Sequence, residues 1–263
     1  MSSLHPTAAN GFDKQADAYA QTRPSYPKES LDQLQSLVPD VDACIVDLAA
    51  GTGIFTKLLV DRGYKNVTAV EPVEAMREKL KSFLPNVPTL NGTSWEIPLP
   101  SESQDAVVVA QAFHWFSDLN SLKEIRRVLK PNGYFIMIWN LESPRSLWVR
   151  GLRNIYERYE KSAPQYRTGA WRAVFEKEEA SDLFQLPLNH ARFENDFLVR
   201  KENIFTRVNT KSYIAILSDE QRGVLTKEME SILDDPANGC SLDDQGLTMY
   251  PHDTDTYWTQ RRN

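Results

Sequence analysis

Between Asp47 and Gly53 the chain reads Asp-Leu-Ala-Ala-Gly-Thr-Gly, and Glu71 follows twenty positions after Gly51. Small residues in a turn let a ligand approach the backbone. A helix that starts at once aims its free N–H groups at whatever sits there. An acid about 20 residues on is placed to accept hydrogen bonds from ribose hydroxyls, and Pro72 fixes the backbone as the chain enters the next helix. Together these point to a ribose-bearing ligand. The plainer readings are a tight strand–helix connection and a solvated acid favoured by a helix dipole. Two residues argue against a nicotinamide dinucleotide. The third small position of that fingerprint is Thr56, and Asp47 would set a carboxylate against a pyrophosphate. An acid suits a ligand carrying an amino or hydroxyl group.

His114 is the histidine nearest this turn in the expected fold; His5, His190 and His252 lie elsewhere. At a strand end, with an ordinary pKa, it could act as a general base, or it could be a structural residue wedged between Phe113 and Trp115. Tyr26, Phe113, Trp115 and Trp139, with the aromatics of the 141–188 stretch, predict a lid and pocket for an apolar or planar substrate. Each of them alone would equally fill a core.

These residues need a frame. Apolar runs bounded by turn residues predict strands at 44–48, 66–70, 87–90, 105–110 and 134–139. Amphipathic stretches between them predict helices over 54–62 and 73–83, and one through Leu122, Ile125, Val128 and Leu129 that stops at Pro131-Asn132-Gly133. Such alternation is that of a doubly wound, mainly parallel α/β sheet. Beyond it the pattern predicts a helical, aromatic-rich insertion over 141–190, a late strand at 192–199, helices at 202–217 and 226–233, and a final edge strand at 254–259.

At 263 residues, with 41% hydrophobic and 25% charged side chains, the chain suits one elaborated α/β domain. It divides into cap helices over 1–40, a binding core over 41–140, the insertion over 141–190 and a C-terminal completion of the sheet over 191–263. A net charge of −6 gives no basic stripe for nucleic acid. Two cysteines suggest neither a disulfide framework nor a metal cluster. The N-terminus lacks the features of a secretory signal and no apolar run would span a bilayer. The expectation is a cytoplasmic protein with no metal, nucleic-acid or membrane partner and an undefined oligomeric state.

The ordered motifs resemble those of class I S-adenosylmethionine-dependent methyltransferases. Residues 46–56 are similar to their first motif, Gly92-Thr93-Ser94 and Ile97–Pro100 to the segment before the fourth strand, 105–115 to the fourth strand, and 124–133 to the helix and turn before the fifth. Phe12-Asp13, Tyr19-Ala20, Arg23-Pro24-Ser25-Tyr26-Pro27 and Gln111-Ala-Phe-His-Trp-Phe116 look like the type 11 group that includes trans-aconitate methyltransferases. The likeness spans residues 10–140 and thins beyond. Ala49 departs from it, standing where the family has its first glycine. The resemblance implies a Rossmann-like seven-stranded sheet and S-adenosylmethionine as methyl donor to a small molecule, at oxygen foremost and otherwise at carbon or nitrogen. It also implies that Asp47, Ala49, Gly51 and Gly53 line the methionine and ribose part, that Glu71 binds the ribose diol, and that Pro72 and Met76 pack on adenine. Thr93 and Ser94 would contact the adenine edge, Gln111 the methionine backbone, and Tyr19 and Arg23 would cap the donor. Core packing is an equal reading for Met76. A protein that binds the donor without methyl transfer, and an oxidoreductase, are the competing functions.

Overall fold

The computed structural model describes residues 24–160 and 163–263. Tyr19 and Arg23 lie outside the described residues, as does most of the expected 1–40 cap. Its described part contains helix α1 (Lys28–Leu37).

A seven-stranded sheet forms the centre. β1 (Cys44–Leu48), α2 (Ile54–Asp61), β2 (Asn66–Val70), α3 (Glu74–Phe83), β3 (Thr89–Leu90), β4 (Gln104–Ala110), α4 (Leu119–Val128) and β5 (Leu129–Glu142) follow in chain order. β3, β2, β1, β4 and β5 are parallel neighbours. The order reverses at β1: the chain first winds outward to β3 and then returns to lay β4 on β1's other side. Ligands of open α/β sheets bind in the crevice this leaves at the strands' C-terminal ends. β1 and β4 carry near-continuous apolar runs because helices cover both faces of the sheet, with Ile45, Val46, Val107 and Val108 fully buried.

The second half departs from the sequence pattern in instructive ways. β5 starts at Leu129 and runs through Pro131-Asn132-Gly133, which form an irregularity in the strand, with Asn132 at φ 61°. The turn residues therefore bulge the strand rather than end the helix. The expected 192–199 strand is two strands, β6 (Asn189–Glu194) and β7 (Phe197–Arg200), broken at Asn195-Asp196. β7 leaves the main sheet to pair with β8 (Leu247–Tyr250), which the pattern did not predict. The last strand, β9 (His252–Gln260), is no edge: it lies antiparallel between β5 and β6. Its threonines look like a solvated face in the sequence, yet Thr254, Thr256 and Thr259 are buried.

α5 (Leu147–Tyr156) and α6 (Glu178–Leu183) flank the aromatic stretch. The expected 202–217 helix breaks into α7 (Lys201–Asn209) and α8 (Ser212–Ala215), with Thr210 Oγ1 turned back to the Arg207 carbonyl at 2.7 Å. α9 (Asp219–Asp234) starts seven residues before the expected 226–233 helix, at a Ser218/Gln221 capping box. The 141–190 region does not form one unit. Trp148 and Tyr156 join α7, α8, α9, β7 and β8 in a separate core, whereas Trp171, Val174, Phe175 and Phe184 pack onto the sheet. No helix of the described residues is long and apolar enough to cross a membrane.

Candidate active site

The turn after β1 is built from left-handed backbone. Ala49, Gly51 and Gly53 have φ of 60°, 57° and 87°. The Ala49 and Ala50 amides donate to the Val70 carbonyl at 2.8 and 3.1 Å, which ties the turn to the end of β2. Ala49 pays a steric cost for that conformation that a glycine would not.

Glu71 completes the turn from the neighbouring strand. Its Oε2 accepts from the Gly51 amide and its Oε1 from the Val73 amide, each at 2.8 Å. Burial raises its pKa, opposed by those two amides and by Arg77. Both oxygens are thus oriented while keeping lone pairs for a diol.

Ala49, Gly51 and Glu71 form one wall of a cavity of about 780 Å³. Pro72, Val73 and Met76 form a second wall, and Gly92, Thr93, Ser94 and Trp95 a third. Ala110–Ala112, Trp115 and Phe116 close its inner end. A Cβ on Gly51 would point at Met76 Sδ, 3.8 Å away. At Gly92 a Cβ would overlap Pro98 Cδ at 2.4 Å, so glycine is required there. Ser94 is held by the Ser121 hydroxyl at 2.9 Å. Trp95, which sequence reasoning passed over, lines the cavity and donates from Nε1 to Asp118 at 2.8 Å; it directly follows the Thr93-Ser94 motif.

Asp47 and Gly53 do not line the cavity. Asp47 is fully buried beneath the turn, accepting from Thr56 Oγ1 at 2.6 Å, while its Oδ1 lacks a partner among the described residues. Burial pushes its pKa up to about 7, and the nearby Glu71 adds to the shift. Thr56, read from the sequence as bulk that excludes a dinucleotide, is the residue that holds this acid. Gly53 supports packing: a Cβ there would lie 2.9 Å from Leu80 Cγ.

Gln111, just past β4, has φ 61°. Its amide donates to Ile138 O at 2.8 Å and its side chain to Asn140 O at 3.1 Å. It lines the cavity already described, a smaller chamber bounded by Tyr26 and residues 49–52, and a third chamber of about 720 Å³. Trp115 is shared by the first and third. The third chamber is polar, with Glu142, Glu160, Arg167, Arg207 and Lys211 in its walls.

His114 faces that polar chamber, but not as a base of ordinary pKa. Trp139 Nε1 donates to its Nδ1 at 3.2 Å, which leaves the proton on Nε2. Burial lowers its pKa to about 3. The ring is a neutral hydrogen-bond donor. Phe113 and Trp139 are core residues instead of pocket walls. Phe113 is fully buried in edge contacts with Phe116, Phe135 and Trp171, and Trp139 is fully buried against Tyr166 and Trp171. Tyr26 is buried edge-on against Phe55 and borders the smaller chamber.

The cavity fits an S-adenosyl donor: an oriented buried carboxylate, a turn cleared of side chains and a methionine-lined slot meet at one crevice. Among the described residues no three or more His, Cys, Asp or Glu side chains come together as a metal site.

Comparisons with known proteins agree. A family model described as a methyltransferase domain matches residues 46–137. An uncharacterized methyltransferase-like protein of Schizosaccharomyces pombe is 32% identical over 215 residues, covering 81% of this chain and 82% of that protein. An uncharacterized methyltransferase of Mycobacterium bovis is 43% identical over 147 residues, 56% of this chain and 59% of its own. The solved Haemonchus contortus phosphoethanolamine N-methyltransferase 2, in complex with phosphomonomethylethanolamine and S-adenosylhomocysteine, aligns over 95% of this chain and 58% of that one. Its TM-score of 0.56 at 12% identity shows a shared fold. The chain belongs to the class I S-adenosylmethionine-dependent methyltransferases carrying the type 11 domain, and S-adenosylmethionine is its methyl donor.

Proposed function

We propose that the enzyme methylates a small-molecule acceptor, at oxygen. The observation that carries this reading is the pair of chambers meeting at Gln111 and Trp115. One suits the donor. The other is concave and presents several polar side chains around Trp115, Tyr156, Tyr166 and Tyr213, the mixed lining in which small ligands are oriented.

When bound, the donor supplies an electrophilic methyl carbon on a cationic sulfur, so the protein's task is alignment. Glu71 would take the ribose diol, Pro72 and Met76 would flank the adenine, and Thr93 and Ser94 would face its edge. Gln111 and Trp115 hold the boundary across which the acceptor atom approaches. Fixing two reactants in line can contribute roughly 7–11 kcal/mol. His114, protonated on Nε2, donates to the acceptor and orients it. A carboxylate oxygen would need no base, and a hydroxyl would release its proton to solvent water as the methyl group is transferred.

Incubation with methyl-labelled donor and separate pools of small metabolites, tRNA and protein tests the reading. Label is expected in the small-molecule fraction as a base-labile ester or an ether. Label confined to macromolecules would sink the proposal.

A further inference from the structure

The polar chamber ends on a buried cluster that is one negative charge short. Glu142 Oε1 accepts from Lys211 Nζ at 2.9 Å and pairs with Arg207 Nη2 at 3.1 Å. The side chains of Arg207 and Glu142 are 3% and 2% exposed. Burial works to raise the Glu142 pKa, but Lys211 and Arg207 outweigh it and hold the carboxyl well below its ordinary range. His252 also faces Glu142, and burial keeps it neutral, with a pKa lowered to about 3. The cluster thus carries two cations and one anion.

Arg167 pairs with Glu157 and Glu160 in the chamber's lining. Arg153, outside the lining, pairs with Glu157, so these four charges cancel. The excess positive charge stays on the Glu142–Arg207–Lys211 cluster.

Arg207 also has donors to spare. Its Nε and Nη1 are buried and make no hydrogen bond of full geometry among the described residues, with only the Tyr250 side chain nearby to interact with the guanidinium, and the buried Tyr156 hydroxyl lining the same chamber makes none either. Buried cations and buried donors without partners are costly, and a guanidinium with open N–H edges matches a planar anion.

We propose that Arg207 anchors an anionic group of the acceptor, a carboxylate or phosphate, at the deep end of the polar chamber, with Lys211 and Tyr156 beside it. This rests on the small-molecule reading above and narrows it to acidic acceptors. Arg207 also borders the small chamber beside residues 49–52, so the donor's own carboxylate is the rival partner.

The test uses the full chain saturated with S-adenosylhomocysteine, whose affinity is measured first by calorimetry. The loaded protein is then titrated with formate, phosphate and succinate, and with succinamide as a neutral match. At least one anion should bind in the millimolar range while succinamide does not. Arg207→Gln should weaken that anion at least tenfold and change S-adenosylhomocysteine affinity less than threefold. Glu142→Gln removes the internal competitor: it should tighten the anion, and the anion should raise its melting temperature more than it raises the parent's. A tenfold loss of S-adenosylhomocysteine affinity in Arg207→Gln would assign the residue to the donor and overturn the proposal. So would the absence of anion binding, or anion binding indifferent to both substitutions. Failure to bind S-adenosylhomocysteine at the outset would instead undo the reading on which this rests.

Discussion

Glu71 gives each of its oxygens a backbone amide, so its carboxylate is fixed before any ligand arrives. Charge-assisted hydrogen bonds are worth about 1.5–3 kcal/mol each, and Glu71→Gln should weaken S-adenosylhomocysteine tenfold or more by calorimetry. An affinity within twofold would remove Glu71 from the site. His114 calls for a different readout. With its pKa near 3 it stays neutral throughout the physiological range, so the pH–rate profile should show no inflection between pH 5.5 and 7 that disappears in His114→Gln. His114→Ala should cost about tenfold in turnover, the equivalent of one hydrogen bond, and leave cofactor affinity unchanged. Asp47 sets a stability trend. Its folded pKa of about 7 lies above the ordinary 3.8, so the folded state retains a proton that the unfolded chain releases. Its stabilising contribution is full below about pH 4 and is lost as pH rises through 7. The ligand-free melting temperature should therefore fall between pH 5.5 and 7.5, and Asp47→Asn should flatten that slope.

At the scale of elements, the turn after β1 holds an alanine in left-handed backbone. Ala49→Gly should relieve about 1 kcal/mol of strain and raise the melting temperature by a few degrees. Unchanged or lowered stability would mean that the methyl group makes packing contacts that outweigh the strain. The same turn explains what was legible in the sequence. Ala49, Gly51, Glu71 and Gln111 sit just past the ends of β1, β2 and β4, whose apolar runs stand out in the sequence, so those strands place the cavity. Burial direction was less legible. Phe113 and Trp139 flank the same crevice as Trp115, and an aromatic side chain does not announce which side of a strand end it will occupy. The Glu142–Arg207–Lys211 cluster left no signal at all. Its members come from β5, α7 and the residue that precedes α8, separated by 65 positions between Glu142 and Arg207, and a buried ion cluster has no periodicity. Nor was β9's interior place readable, because alternating threonines look the same buried between strands as they do on a solvated edge.

For the whole molecule, the decisive fact is that two cores share the seven-stranded sheet while a third stands apart from it. Two lie on its faces, and the third belongs to α5, α7, α8, α9 and the β7–β8 pair. β9 joins them: its body pairs with both β5 and β6, and its first residue abuts Glu142 through the β5 register. A chain ended at Pro251 should therefore lose cooperative unfolding and expose the sheet, rather than fold as a trimmed enzyme. A sharp calorimetric transition in that truncation would show the strand to be dispensable.

Gln111, with its positive φ and its side chain anchored on Asn140, touches all three chambers at once. A residue so placed makes the chambers thermodynamically interdependent. Any adjustment that settles it around one occupant alters the free energy of admitting the next, and linkage requires the effect to be mutual. Whatever factor S-adenosylhomocysteine adds to acceptor affinity, the acceptor must return to S-adenosylhomocysteine. The order in which the two enter is then a matter of kinetics alone.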